Sequence, residues 1–522
     1  MTTTHAPADG DPRKWLIAGT VMTGTVMAVL DSSIVNVALP DMSGTLGATI
    51  EQITWVITAY ILANVIIMPI IAMLSSRYGR KNMYMASVVA FTLASMACGV
   101  VRTLPLIIVF RVIQGLGGGV LITVSQAILR ESFPTEEQGL AMGVYGMGVV
   151  LAPAFGPTLG GWLTDTYSWP WIFYINVPIG ILNLFLVSRF IQDPPYLVRE
   201  RSVIDWLGLA LMTIGLGALQ LMLEEGQQDN WWDSSFIILL AVIAVLGLVF
   251  FIWRELATRH PAVDLRILRN KSFSSATSIG GVLGMGLYGS LFLLPLFLQE
   301  LLGYPAMTSG LALMPRSLAM AVVMPIAGRF YNQLGPRLLV GMGLVISGYS
   351  FWELSALTTQ TGFWDIFVPQ VWQGVGFSLI FVALSTAALA TIDRAKMTAA
   401  TGLYNVVRQV FGSVGIAAAA TVLTSSTSRY HDVLAAQLNQ RELIANGVLR
   451  STIAAMQHLG LDAAEAHARA LDLLNIRVIR QATVLAYNHV FQLITLLFII
   501  AVPLVMLLQK RAMEGHAEIM AE

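Results

Sequence analysis

About fourteen apolar runs, each near the ~20 residues a helix needs to cross the hydrocarbon core of a bilayer, constrain this sequence more than any other feature. They lie at 15–36, 53–74, 83–101, 104–128, 139–163, 170–190, 206–223, 235–254, 274–299, 307–329, 337–357, 365–390, 398–424 and 485–509. Inside a bilayer every backbone N–H and C=O needs an internal partner, which leaves helices or closed barrels, and runs this long point to helices. Composition agrees: 56% of residues are hydrophobic and 11% charged, against about 25% charged in soluble domains. The 30 basic and 30 acidic residues cancel, which argues against nucleic acid as a partner. A lone cysteine, Cys98, can form no internal disulfide and reads as packing.

Positive charge sets the expected orientation. With residues 1–14 as a cytoplasmic tail, Arg77, Arg80 and Lys81 fall in inner loops. So do Arg130, Arg189, Arg199, Arg201, Arg254, Arg259, Arg266, Arg269, Lys271, Arg329, Arg337, Arg394 and Lys396. The short outer loops keep Arg102 and otherwise acids, among them Asp41, Glu51, Asp165, Glu224 and Asp233. An even number of spans with both ends inside produces this pattern, and 510–522 becomes a second cytoplasmic tail. The N-terminal run lacks a small-residue cleavage pattern and reads as a retained first helix.

The chain also repeats itself. "PIIAMLSSRYGRK" from Pro69 matches "PIAGRFYNQLGPR" from Pro325, aligning Gly79 with Gly335 and Lys81 with Arg337. "VIQGLGGGV" matches "VWQGVGFSL", aligning Gln114 with Gln373, and "GVY" at 143–145 matches "GLY" at 402–404. Matches in one order at nearly one spacing imply two six-helix halves, 15–190 and 274–509, with a helix pair inserted at 206–254. Such halves place a site between them near the midplane and alternate its access by rocking.

Five motifs together carry a family resemblance: "LDSSIVNVALP" at 30–40, "LSSRYGRK" at 74–81, "RVIQGLGGG" at 111–119, "APAFGPTLGGWL" at 152–163 and "WPWIFYINVPIG" at 169–180. With them the chain, from about 15 to 510, resembles the major facilitator superfamily, and within it the fourteen-helix drug:proton antiporters of the EmrB/QacA type. It departs at Ala72 and Ser76, where that loop usually has glycine and aspartate, and at Pro170, where arginine is common. The resemblance implies an all-α polytopic membrane protein that exports amphipathic or cationic molecules against protons and uses no cofactor. It implies that Arg77, Gly79 and Arg80, and Gly156, Pro157, Gly160 and Gly161 on the fifth span, serve the conformational change. The fifth-span motif marks antiporters over uptake carriers.

Asp31 and Arg111 also stand out on geometry. Asp31 lies sixteen residues past Trp15, about 24 Å along an ideal helix, and Arg111 seven residues past Leu104, about 10 Å from the opposite face. In a core of roughly 30 Å these depths match, so the two can pair and share the cost of burial. Protonation of Asp31 would break that balance, and a cationic substrate would compete for the same carboxylate; the resemblance implies these proton-coupling roles. The alternative is that Asp31 only caps its helix or sits among headgroups. Gln114, Gln126, Tyr145, Asn405 and Arg408 are candidates to line the substrate cavity. Arg316 is expected to snorkel toward the outer face.

No glycine precedes any of the five lysines, so ATP is not used. "GMGLYG" at 284–289 matches a dinucleotide pattern but falls within a span, and the histidines show no metal-ligand spacing. No nucleophile–base–acid set is visible, so an enzyme is not expected. A proton-coupled symporter, or an exporter of one metabolite, remains the alternative, because fold does not fix function. Last, residues 428–484 mix charges with Ile453, Met456 and Leu459 at helical spacing and an Asp462–Glu465 capping pattern. A folded periplasmic hairpin there is either a lid or a dock for a periplasmic adaptor (membrane fusion) protein leading to an outer-membrane channel. The second reading places the protein in a bacterial inner membrane.

Overall fold

The computed structural model describes residues 13–193, 205–258, 261–393, 396–440, 442–459 and 461–508. Most of both tails, and Arg199, Arg201, Arg259 and Arg394 among the inner-loop bases, lie outside the described residues. The described residues are helical almost throughout, and 13 of their helices are long and apolar enough to cross a membrane. One of these, Met307–Leu354, is two spans in one, kinked at Gly335. The fourteen spans expected from the sequence are therefore all present.

The first half comprises α1 (Lys14–Leu46), α2 (Ile50–Tyr78), α3 (Arg80–Val100), α4 (Leu104–Ser132) and α5 (Gln138–Thr166). Its sixth span is a short α6 (Trp171–Tyr174) followed by α7 (Asn176–Phe190). Pro178 has no N–H for the Tyr174 carbonyl, so the span breaks there. α2 opens with a capping box in which the Thr49 side chain accepts from the Gln52 N–H and the Gln52 side chain accepts from the Thr49 N–H. The second half comprises α10 (Lys271–Leu296), α11 (Ala306–Leu354), α12 (Phe363–Ala390), α13 (Met397–Gln440), α14 (Glu442–His458) and α15 (Ala463–Ala501).

The internal repeat survives at the level of the backbone. Gly79, between α2 and α3, has φ 84°, ψ 150°, and Gly335, inside α11, has φ 76°, ψ 159°. Both sit in a region that is essentially glycine-only, so a side chain there is strained. The two basic loops at 77–81 and 329–337 therefore turn alike.

The halves pack tightly at the end that carries those loops. A Cβ on Gly139 would meet the Gly328 carbonyl at 2.7 Å, and one on Gly146 would meet Met324 and Phe381 at 2.8 Å. Gly402 packs on the Met68 carbonyl of α2. Arg130 donates from Nη1 to the Thr386 carbonyl at 2.7 Å, and Asn332 donates to the Glu136 carbonyl. The inserted pair, α8 (Trp206–Glu225) and α9 (Ser235–Ala257), meets at Gly215 and Gly247. It docks on the seam between α2 and α13, where Gln220 donates to Ser413 and Trp231 to Thr421, at 2.7 and 2.8 Å. Asp205 caps α8 and pairs with Arg254 of α9. Burial pushes its carboxyl up, but the bonds from Arg254 and the Gly208 N–H outweigh this and hold it below the ordinary range.

At the other end the chain overshoots a bilayer. α13 has 44 residues and α15 has 39, about 66 and 58 Å of helix against a core of roughly 30 Å. Within 428–484, α13 thus continues to Gln440, α14 follows, and α15 runs back into the last span. Asp462 caps α15 by accepting from the Glu465 N–H at 2.8 Å, and His431 and Asn475 meet across α13 and α15 at 3.1 Å. Gly460, between α14 and α15, lies outside the described residues.

Candidate proton-coupling site

Asp31 is fully buried in α1, as is Arg111 in α4. Arg111 Nη1 donates to Asp31 Oδ2 at 2.5 Å. The second carboxylate oxygen, Oδ1, accepts from Gln114 Nε2 at 2.8 Å and from Asn176 Nδ2 at 2.7 Å. An ionised carboxylate only accepts, and here the spans α1, α4 and α7 bring it one cationic and two amide donors. Gln114 closes the ring by accepting from the same Arg111 Nη1 at 2.9 Å. The depth match read from the sequence thus corresponds to a direct ion pair, and Gln114, one helical turn beyond Arg111, shares its face.

The guanidinium is held from two further sides. Its Nε donates to the Val56 carbonyl of α2 at 2.8 Å, and its plane lies 4.3 Å from the Tyr60 ring centroid. Tyr60 in turn donates to the Ala28 carbonyl on α1 at 2.9 Å. A buried pair of this kind costs desolvation on both partners, and removing either one alone costs about 3–5 kcal/mol. The pair therefore ties α1 to α4 through an ion pair that needs Asp31 ionised.

Asn176 is the member that sequence reasoning misses. Its Nδ2 bridges Asp31 Oδ1 and Ser95 Oγ, the latter at 3.0 Å, and Ser95 donates to the Phe173 carbonyl at 2.9 Å. The available signal is the amide itself, a lone polar residue in "IFYINVPIG". Its rotation toward Asp31 follows from how α7 packs against α1 and α3, which no local pattern encodes.

The candidate cavity residues divide. Asn405 Nδ2 donates to Gln126 Oε1 at 3.0 Å, a contact between α13 and α4 that joins the halves. Tyr145 is buried and donates to the Ile122 carbonyl within its own half, at 3.2 Å. Arg408 is half-buried, with its guanidinium 5.4 Å from the Phe381 ring centroid. Arg316 departs from expectation. It lies ten residues into α11, about 15 Å along it, and is 3% exposed, so it does not snorkel to a face.

The conformational motifs have distinct surroundings. Arg80 is buried and paired with Glu131 at the end of α4, while Arg77 remains at the surface beside Tyr78. The Lys81 N–H and ammonium tie the loop to Asp193 and the Ser188 carbonyl, both at 2.8 Å. Glu131 and Asp193 thus supply this region with carboxylates although Ser76 stands where an acid was expected. On α5, Gly156 packs on Ser33 and Gly160 on Ile34, so α5 lies directly on α1. A Cβ on Gly161 would stand 3.8 Å from Val37, an ordinary contact, and Pro157 is exposed.

Comparison with known proteins places these features in context. A family model described as Major Facilitator Superfamily matches residues 21–416. The chain is 33% identical over 506 residues to the fatty acid resistance protein FarB of Neisseria gonorrhoeae, covering 96% of this chain and 97% of that one. It is 34% identical over 482 residues to the multidrug export protein EmrB of Escherichia coli (strain K12), covering 92% of each. Among solved structures, the human organic anion transporter MFSD10 (TETRAN) shares the fold with a TM-score of 0.59 at 13% identity, over 94% of this chain and 100% of that chain.

Proposed function

The chain belongs to the Major Facilitator Superfamily, and from that premise we propose that it exports amphipathic small molecules, drugs among them, in exchange for protons. The observation that carries this reading is the buried Asp31 carboxylate held by Arg111, Gln114 and Asn176. An intramembrane acid with a fixed partner marks a functional site, and proton relays are built from such acids. With Asp31 ionised, three donors lock α1, α4 and α7 together. A proton on Asp31 neutralises the charge that Arg111 balances and turns an acceptor into a donor, so the same contacts no longer favour the locked packing. A cationic substrate drawn to the carboxylate would compete with that proton. Proton and substrate then alternate on one bistable element, as antiport requires.

Export rather than uptake is favoured by the functions for which the relatives FarB and EmrB are named and by the glycine packing of α5 on α1. The basic loops at 77–81 and 329–337 support a cytoplasmic position for the tightly packed end, with both termini inside. The overshooting α13–α14–α15 assembly then faces the periplasm of a two-membrane bacterium. There it would dock a membrane fusion protein that passes cargo to an outer-membrane channel. The protein moves its cargo without changing it.

The test is transport in inverted membrane vesicles. Addition of a transported cation such as ethidium to energised vesicles should release protons in wild type. Asp31→Asn should insert normally and abolish both proton release and uphill transport, because an amide carries no exchangeable proton at working pH. Wild-type proton release from Asp31→Asn vesicles would refute the coupling role.

A further inference from the structure

The second half contains a copy of the Asp31–Arg111 site from which the acid has been deleted. Arg316 Nη1 donates to Ser290 Oγ at 3.0 Å and to Gln373 Oε1 at 3.2 Å. In the first half Arg111 Nη1 donates in the same way to Asp31 Oδ2 and Gln114 Oε1. The repeat relates these residues. At the spacing that carries Gln114 to Gln373, Asp31 falls on Ser290 and Arg111 on Gln370; at the spacing that carries Pro69 to Pro325, Tyr60 falls on Arg316. The guanidinium has moved from α4's counterpart to α2's, but it still addresses the α1 counterpart and the glutamine.

What differs is the charge. Among the described residues no carboxylate pairs with Arg316, whose only hydrogen-bond partners are a hydroxyl and an amide oxygen. Yet Arg316 is 3% exposed, and Ser290, Gln370 and Gln373 are fully buried. Gln370 approaches Gln373 Oε1 at 3.5 Å, leaving Gln370 Oε1 and Gln373 Nε2 without partners. A buried cation is ordinarily paired, and a guanidinium with amide donors beside it is built to receive an oxyanion.

We propose that Arg316, with Ser290 and Gln373, is a binding site for the carboxylate of an amphipathic anionic substrate. The inference rests on the transporter reading above and adds a substrate class to it: the first half holds the proton on its own acid, and the second half takes its missing acid from the cargo. Arg316 would supply the charge, Gln373 Nε2 and the Ser290 hydroxyl further donors. Cationic cargo does not need this site.

Two matched probes test the proposal on the purified full-length protein in nanodiscs: 2-naphthoate and the cation 2-naphthyltrimethylammonium, each titrated calorimetrically. Wild type should bind both. Arg316→Gln should weaken 2-naphthoate about tenfold or more, as expected for loss of a buried charge-assisted contact, and leave the cation within about twofold. Ser290→Asp restores the pattern of the first half and guards against misfolding of the first variant. It should fold at least as stably as wild type and lose 2-naphthoate to the internal carboxylate, again sparing the cation. Equal 2-naphthoate affinity in wild type and Ser290→Asp, or no binding by wild type, would overturn the proposal. Loss of both probes in a folded Ser290→Asp would also overturn it. Proton release on cation addition in vesicles is scored separately, so failure of the anion site is distinguishable from failure of the exporter reading.

Discussion

Asp31 has two oxygens and three donors, and the division between them decides what each neighbour is for. Oδ2 takes the charge of Arg111, while Oδ1 takes two neutral amides. Asn176 is the positioning residue of the set, since its one amide nitrogen spans Asp31 and Ser95. Asn176→Leu should therefore strip a donor from the buried carboxylate and lower the stability of the purified protein by about 1–3 kcal/mol. Ser95→Ala leaves that donor in place and should cost about 1 kcal/mol or less. Thermal unfolding of the two variants in the same detergent checks the order, and equal losses would mean that Asn176 acts only by filling space. At this scale the sequence is partly legible. Depth along a helix is simple arithmetic, so Asp31 and Arg111 can be matched from residue counts alone. Rotation about the helix axis is not, which is why counting leaves Asn176 unassigned and sends Arg316 to the wrong surface.

The spans themselves are the most legible feature, because length and the absence of charge are read directly along the chain. Their ends are less so. α13 and α15 continue far beyond their apolar stretches, since residues with good helix propensity, such as Gln, Arg and Ala, prolong a helix once it has started. Loop chemistry is legible where glycine carries it. Gly79 and Gly335 are aligned by the repeat alone, and both adopt the positive φ that a tight turn between spans demands. Gly335→Ala should thus strain the kink of α11 by about 1–3 kcal/mol. A substitution to alanine at Gly341, whose surroundings are open, should be nearly neutral in space and cost at most about 1 kcal/mol in either direction. The measurement is the midpoint of thermal inactivation of transport in vesicles. Equal midpoints for the two variants would show that the α11 kink tolerates a side chain.

Seen whole, the molecule is two related halves that touch most closely at one end, flanked by an inserted pair and extended at the other end by α13, α14 and α15. The repeat makes the two halves legible from the amino acids alone, but not which end is closed, because packing across a seam depends on residues distant in sequence. Gly139 with Gly328, and Arg130 with the Thr386 carbonyl, are such contacts. The overshooting assembly raises the remaining question of purpose, since two paired helix extensions and a third helix exceed what a connection requires. If they form a dock for a periplasmic partner, shortening them should spare the transport machinery. His431–Asn475 and the Arg480 bond to the Leu301 carbonyl anchor the base of the assembly, so a cut must fall above them. Replacing 436–470 with a short Gly/Ser linker leaves both contacts in place, and the paired helices keep the distance to be spanned small. The shortened protein should transport ethidium at the wild-type rate in inverted vesicles, where the periplasmic partner is not required. In whole cells it should fail to confer resistance, because cargo released into the periplasm can re-enter. Retained whole-cell resistance would rule out the dock. Loss of vesicle transport would instead assign the assembly to the transporter itself, as a lid over its outer mouth.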